Sequence, residues 1–281
     1  AGLVLKAGQI PFQTERGLEV LPLEGQAFFK RPLENPDNAL LTAYRDLFRS
    51  YYPERADAPI TLYETVALDP NAGMTLAANR LDGVLWIALL RRVSDKKVVL
   101  ADVRVALAGR TLSLGLWPDM LANSRNASTN SANSRVLPPG SYLDANSELP
   151  LDFQLPAADA SGKLLALNAR LSGDLRNGAA YAEVTLPAKE ALGYPDQLDP
   201  LEAGVGDLPP SLEDTNLADR LITWLRISPR QSAGSSVKLL WAGLHALPAV
   251  QVQSIQGEAL GRGSGAPDQA LRLSRVPAVA G

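Results

Sequence analysis

The chain contains no cysteine, a single histidine and only two methionines in 281 residues. Without thiols it has no disulfides, no thiolate nucleophile and no cysteine-ligated metal. With one imidazole, any Ser-His-Asp chemistry would have His245 as its only possible histidine base. Long apolar runs are also missing. The longest, Val84-Leu85-Trp86-Ile87-Ala88-Leu89-Leu90, falls far short of the roughly 18 residues a spanning helix needs and has the length of a buried strand. Positive charge is not in excess: 27 Lys and Arg stand against 30 Asp and Glu, for a net charge of −3 and a pI near 5.4. That balance leaves no basic footprint for phosphate, so nucleic acid is not an expected partner. No initiator methionine or secretory leader is seen, and Ala1-Gly2-Leu3 and Val279-Ala280-Gly281 both read as cuts through a longer polypeptide.

Hydrophobic residues at 46% and charged residues at 20% describe a globular chain. Its 22 Gly and 21 Pro break it into many brief segments, the habit of a mainly β protein. Alternation predicts strands at Leu3–Leu5, Leu18–Leu21, Val103–Leu107, Thr111–Trp117, Leu164–Leu171 and Tyr181–Leu186. It continues at Ile222–Ile227, Val237–Trp241 and Ala249–Val252, with Ile222, Trp224 and Arg226 on one face and Thr223, Leu225 and Ile227 on the other. One amphipathic helix is expected over about 36–51. Asn35 would be its N-cap and Pro36 its first residue, and the stripe Leu40, Leu41, Tyr44, Leu47, Phe48, Tyr51 should pack on a sheet. The polar run 123–135 predicts a flexible linker between a β-rich unit (1–122) and a β-sandwich-like unit (136–281), and 193–216 reads as a long acidic loop.

Chemistry is sparse. His245 lacks a ligand motif and a nucleophile elbow, and reads as a strand-end or turn residue. The carboxylate pairs Asp144 with Glu148, Glu213 with Asp214 and Asp82 with Asp102 have no spacing that separates them from solvated acids. Asp196, Asp199, Glu202, Asp207, Glu213 and Asp214 lack the alternation of a calcium loop. Gly261-Arg262-Gly263-Ser264-Gly265 has no strand–helix context for phosphate and reads as turns. Asn126-Ala127-Ser128 is a chance-level glycosylation sequon. Trp86, Trp117, Trp224 and Trp241 sit among aliphatic residues, which predicts core positions; an exposed row would instead suit sugar binding. No catalytic, cofactor-binding or metal-binding residue is assigned, and the chain is expected not to be an enzyme.

Several blocks resemble a family of putative baseplate assembly proteins from contractile phage tails and related extracellular injection particles. Ile222-Thr223-Trp224-Leu225-Arg226-Ile227 and Trp241-Ala242-Gly243-Leu244-His245-Ala246-Leu247-Pro248-Ala249-Val250-Gln251 are similar to its Trp-Leu-Arg strand and later Asn-x-x-Pro-Ala segment, with His245 where Asn is usual. Glu258–Gln269 is similar to Glu-x-Leu-Gly-x-Ser-x-Gly-x-Pro-Gly-Gln, with Gly263 in place of Ser and Asp268 in place of Gly. Leu271-Arg272-Leu273 and Val276-Pro277-Ala278-Val279-Ala280-Gly281 resemble its close. Leu5–Thr14, Leu18–Pro22 and Leu81–Ile87 resemble its entry and an apolar strand, while the linker and acidic loop are unmatched. The resemblance implies a wedge-like structural part of a longer chain, assembled in the cytoplasm and carried in a virion or injection particle. Its partners would be other baseplate and tail proteins, the isolated segment would be monomeric, and the resemblance carries no cofactor or catalytic residue. The alternative reading is a carbohydrate-binding β-sandwich module or host-surface adhesin.

Overall fold

The computed structural model describes residues 2–55, 59–120, 151–159, 161–173, 175, 178–194, 206–230, 236–251, 262, 263, 265, 267 and 268. The backbone groups into two compact units, one of residues 17–248 and one of residues 1–16 with 249–281.

The larger unit is a mainly β sandwich. Its first sheet has six strands: β3 (Leu23–Pro32), β4 (Tyr63–Ala67), β6 (Leu85–Arg91), β8 (Leu151–Pro156), β9 (Leu164–Ala166) and β12 (Leu221–Pro229), in the spatial order β4-β3-β6-β12-β8-β9. The second has five: β5 (Met74–Leu76), β7 (Thr111–Pro118), β10 (Ala169–Ser172), β11 (Ala180–Thr185) and β13 (Val237–Leu244), in the order β10-β11-β7-β13-β5. Every pairing is antiparallel. Period two explains the core. Leu85, Ile87 and Leu89 of β6 and Leu151, Phe153 and Leu155 of β8 belong to the same buried cluster as Leu112, Leu114 and Leu116 of β7 and Ala180, Ala182 and Val184 of β11. The six-stranded sheet is buried on its other face as well, by a second cluster around Phe28, Trp86, Ala88, Leu90 and Trp224. This is why β6 reads as an unbroken apolar run.

Five expectations are corrected here. Strands from before residue 122 and after 136 share both sheets, with β12 on β6 and β11 and β13 on β7, so 1–122 and 136–281 are not separate units. The linker 123–135 itself lies outside the described residues. Val103–Leu107 belongs to helix α2 (Leu100–Leu107), where Val103 and Leu107 are buried one turn apart while Val105 is exposed. Leu164–Leu171 is two strands in two sheets, because the chain crosses from β9 to β10 at Leu167-Asn168. A bulge between Leu221 and Thr223 puts Ile222 in the interior cluster with Leu225 and Ile227 rather than beside Trp224. Leu18–Leu21 forms no strand; the neighbouring strand begins at Leu23.

Helix α1 (Asn38–Tyr51) starts two residues later than expected, because the Asp37 side chain caps it by accepting from Ala39 N at 2.9 Å. None of its residues is buried, contrary to the expected packing on a sheet, and Tyr51 is 73% exposed. A short helix α3 (Thr215–Ala218) is capped in the same way by Asp214.

The smaller unit holds a three-stranded antiparallel sheet. β1 (Val4–Ala7) and β14 (Ala249–Gln251) flank β2 (Ile10–Thr14), so strands near the two ends of the chain pair with each other.

Candidate functional site

The most tightly organised polar cluster lies on the outer face of the six-stranded sheet. Alternation along β3 places Phe28 and Lys30 on that face, and Lys30 is only 2% exposed. A buried ammonium must find acceptors, and Lys30 Nζ donates to the carbonyls of Gly206 and Leu208 at 2.7 and 2.6 Å. Arg226, on β12 opposite Gln154 and Trp86, donates to Gln154 Oε1 at 2.6 Å, Ser228 Oγ at 2.8 Å and Asp207 Oδ1 at 3.1 Å. Both cations stand 5.9 Å from the centre of the Trp86 ring. Trp86 meets Trp224 edge-on at 6.3 Å, and Phe28 meets Trp224 at 5.6 Å. Burial lowers the Lys30 pKa to about 8, with the Asp207 carboxylate opposing the shift and Arg226 reinforcing it. The polar groups of this cluster hold one another and the 206–208 backbone. Its chemistry is that of a clamp.

The second distinctive surface is the outer face of the five-stranded sheet. Trp117 of β7 and Trp241 of β13 are directly opposite in register, and they are 53% and 43% exposed. Trp86 and Trp224 are core residues as expected, but these two are not. Glycine makes the arrangement possible. A Cβ on Gly243 would lie 2.3 Å from Trp241 Cζ2 and one on Gly115 would lie 3.0 Å from Cζ3, so the indole rests on bare backbone of two paired strands. On the same face Tyr181 and Ser113 share a hydrogen bond of 3.2 Å, and Tyr181 Oη donates to Glu183.

A groove of about 490 Å³ is lined by Phe29, Arg31, Met74, Arg80, Asp82 and Lys238, among others. Its cations are already paired: Arg31 with Glu64 at 2.6 Å, Arg80 with Asp82 at 2.6 Å and Lys238 with Asp119 at 3.1 Å.

The residues singled out from sequence fall in scattered places. His245 follows β13 in a turn at φ +55°, as a strand-end histidine would. Its backbone N–H donates to Ser113 O at 2.8 Å, and its Nε2 accepts from Leu21 N at 3.2 Å. Burial, reinforced by the nearby Arg92, lowers its pKa, which favours the neutral form of the ring. Asp82 is held by Arg80, Asp102 lies in the first turn of α2, Asp214 caps α3 and Glu213 is exposed. Asp144, Glu148, Asp196, Asp199, Glu202 and the sequon at Asn126 lie outside the described residues. No group of three or more His, Asp or Glu side chains that could hold a metal occurs among the described residues. No helix among them is long and apolar enough to cross a membrane.

Lys30 was not singled out from sequence. The available signal was an ammonium falling in phase with Phe28 along an alternating strand, although its carbonyl partners lie more than 170 residues away.

Only three non-glycine residues among those described have positive φ: Asn79 at +59°, His245 at +55° and Asp268 at +59°. No family model, no curated protein and no solved structure matches the chain.

Proposed function

We propose that this chain is a non-enzymatic, structural segment of the baseplate of a contractile phage-tail-like injection machine, and that it acts through contacts with other baseplate and tail proteins. One observation carries the reading. The family pattern that these blocks resemble has Asn and Gly where this chain has His245 and Asp268, and both residues stand in the left-handed backbone region. Asn and Gly are the residues that tolerate that region best. The backbone therefore asks for the residues that the pattern contains, at the very positions where this chain departs from it. The pairing of the blocks agrees: β6 lies beside β12 in the larger unit, and β2 lies beside β14 in the smaller one. A non-catalytic role is supported by His245, whose Nε2 lone pair is engaged by a backbone N–H. Assembly in the cytoplasm followed by incorporation into a virion or extracellular particle completes the proposal. Affinity purification of the full-length product from its native host tests it: co-purification of sheath, tube or spike proteins is expected, and a product recovered alone from cells that assemble such particles contradicts it.

The exposed Trp117 and Trp241 favour a second reading, a carbohydrate-binding sandwich. Indole faces stack on sugar rings, and the Ser113, Tyr181 and Glu183 side chains supply hydrogen-bonding groups on the same sheet face. Titration with neutral hexose and N-acetylhexosamine oligomers distinguishes the two. Tryptophan fluorescence changes that vanish in Trp117→Ala would support the sugar reading, and no change would leave the face to protein contacts.

A further inference from the structure

We propose that the outer edge of β4, beside the groove lined by Phe29, Val66 and Met74, is a docking site that takes an extended segment of a neighbouring baseplate or tail protein as a seventh strand of the six-stranded sheet. The inference rests on the baseplate reading for the identity of the partner and adds the place of contact. β4 ends the sheet, with β3 on one side only. Its ladder with β3 matches Ala67 with Phe28, Thr65 with Lys30 and Tyr63 with Pro32. Beyond the strand ends it continues through Leu68 N to Ala27 O and Leu33 N to Leu62 O, each 2.8 Å. Antiparallel pairs alternate between bonded and non-bonded, so these two bonds fix the phase. Glu64 and Val66 bond to β3, while the N–H and C=O groups of Tyr63, Thr65 and Ala67 point away from it. Among the described residues none bonds to these outward groups.

Among the described strands the other sheet edges are shorter. Edge strands are normally kept short, or carry lysine, proline or a bulge that discourages pairing. β5, β9 and β14 have three residues each, and β1 and β10 have four. β1 also carries Lys6, and the edge just after β5 is taken where Ala77 N donates to Gly83 O. β4 runs for five residues, Tyr-Glu-Thr-Val-Ala, with no lysine, proline or bulge. The groove gives an added strand room for side chains. Alternate residues of a strand laid on β4 fall on the Val66 face, over the groove of about 490 Å³ with its Phe29, Val66 and Met74 wall. At its mouth the Arg31 and Arg80 side chains are 51% and 64% exposed, while their carboxylate partners Glu64 and Asp82 are 37% and 21% exposed. The outermost charge there is therefore positive. The segment that fits is extended, apolar at alternate positions and acidic where it meets the two arginines. A second copy fits less well, because its own β4 would bring the same guanidiniums to the seam.

Quenched hydrogen exchange, read residue by residue, tests this on the full-length product, free and in its complex with the sheath, tube or spike proteins of its native host. In the free chain the amides of Tyr63, Thr65 and Ala67 should exchange near the rates of an unstructured peptide, while those of Glu64 and Val66 are protected by β3. In the complex the first three should slow by about tenfold or more. Thr65→Pro removes an outward donor and leaves the β3 ladder intact, so it should keep the fold and weaken the complex about tenfold. Protection of the three amides in the free monomer overturns the proposal, because the chain then covers its own edge. So does their protection in a dimer of the free chain detected by light scattering, because a second copy is then the occupant. A complex that forms with the three amides still open, or that binds Thr65→Pro at full affinity, overturns the docking site and spares the baseplate reading. No complex at all ends both. If Thr65→Pro does not fold, the exchange pattern decides alone.

Discussion

At the scale of single residues, two left-handed positions separate backbone demand from side-chain chemistry. His245 sits at φ +55° and its ring accepts from Leu21 N. His245→Asn keeps a residue that tolerates this region and should shift unfolding by less than about 0.5 kcal/mol, whereas β-branched His245→Val should cost about 2 kcal/mol through backbone strain and a lost acceptor. Asp268→Gly should be neutral or stabilising by up to about 1 kcal/mol, since glycine carries no penalty there. Urea unfolding of each variant checks both, and equal losses from Asn and Val at 245 would show that the ring rather than the backbone governs the site. Tryptophans give the complementary contrast. Trp224→Ala should cost about 3–5 kcal/mol because its side chain is fully enclosed. Trp117→Ala should cost less than about 1 kcal/mol, because half of its surface already meets water.

Among the elements, α1 is the one whose sequence pattern and environment disagree most. Its stripe of Leu40, Tyr44, Leu47, Phe48 and Tyr51 has helical spacing, yet no residue of the helix is buried and its local order leans on the Asp37 cap. Asp37→Ala should therefore cost the helix about 1 kcal/mol, seen as faster exchange of the Ala39 to Leu41 amides, while the global unfolding midpoint stays unchanged. A matching drop in that midpoint would show that α1 is coupled to the sandwich. β12 teaches a different point. Strict alternation assigns Ile222 to the face of Trp224, but the bulge at its start rotates it into the interior, leaving Thr223 fully buried with an unpaired hydroxyl.

For the whole molecule, the interleaving of strands sets how the chain can be divided. A fragment of residues 17–248 contains both sheets of the sandwich and should unfold cooperatively on its own. Fragments 1–122 and 136–281, expressed separately, should stay unfolded, because β6 loses β12, and β7 loses both β11 and β13. Circular dichroism and thermal melts of the three fragments check this, and a cooperative melt from either half alone would refute the interleaved topology.

Composition and period-two patterning were enough to establish a mainly β chain. They located β6, β7, β11, β12 and β13 closely, because a half-buried or fully buried strand writes its faces directly into local sequence. Other features depend on distant partners. Val103 and Val105 alternate like a strand, but Leu100, Val103 and Leu107 also match a helical face, and only the rest of the fold selects between these readings. Which strands become neighbours, which tryptophans are covered and which carbonyls receive Lys30 are decided by contacts between residues far apart in the chain. Such long-range pairings leave no local periodic trace, so the sandwich topology and the clamp over Trp86 became visible only once the chain was folded.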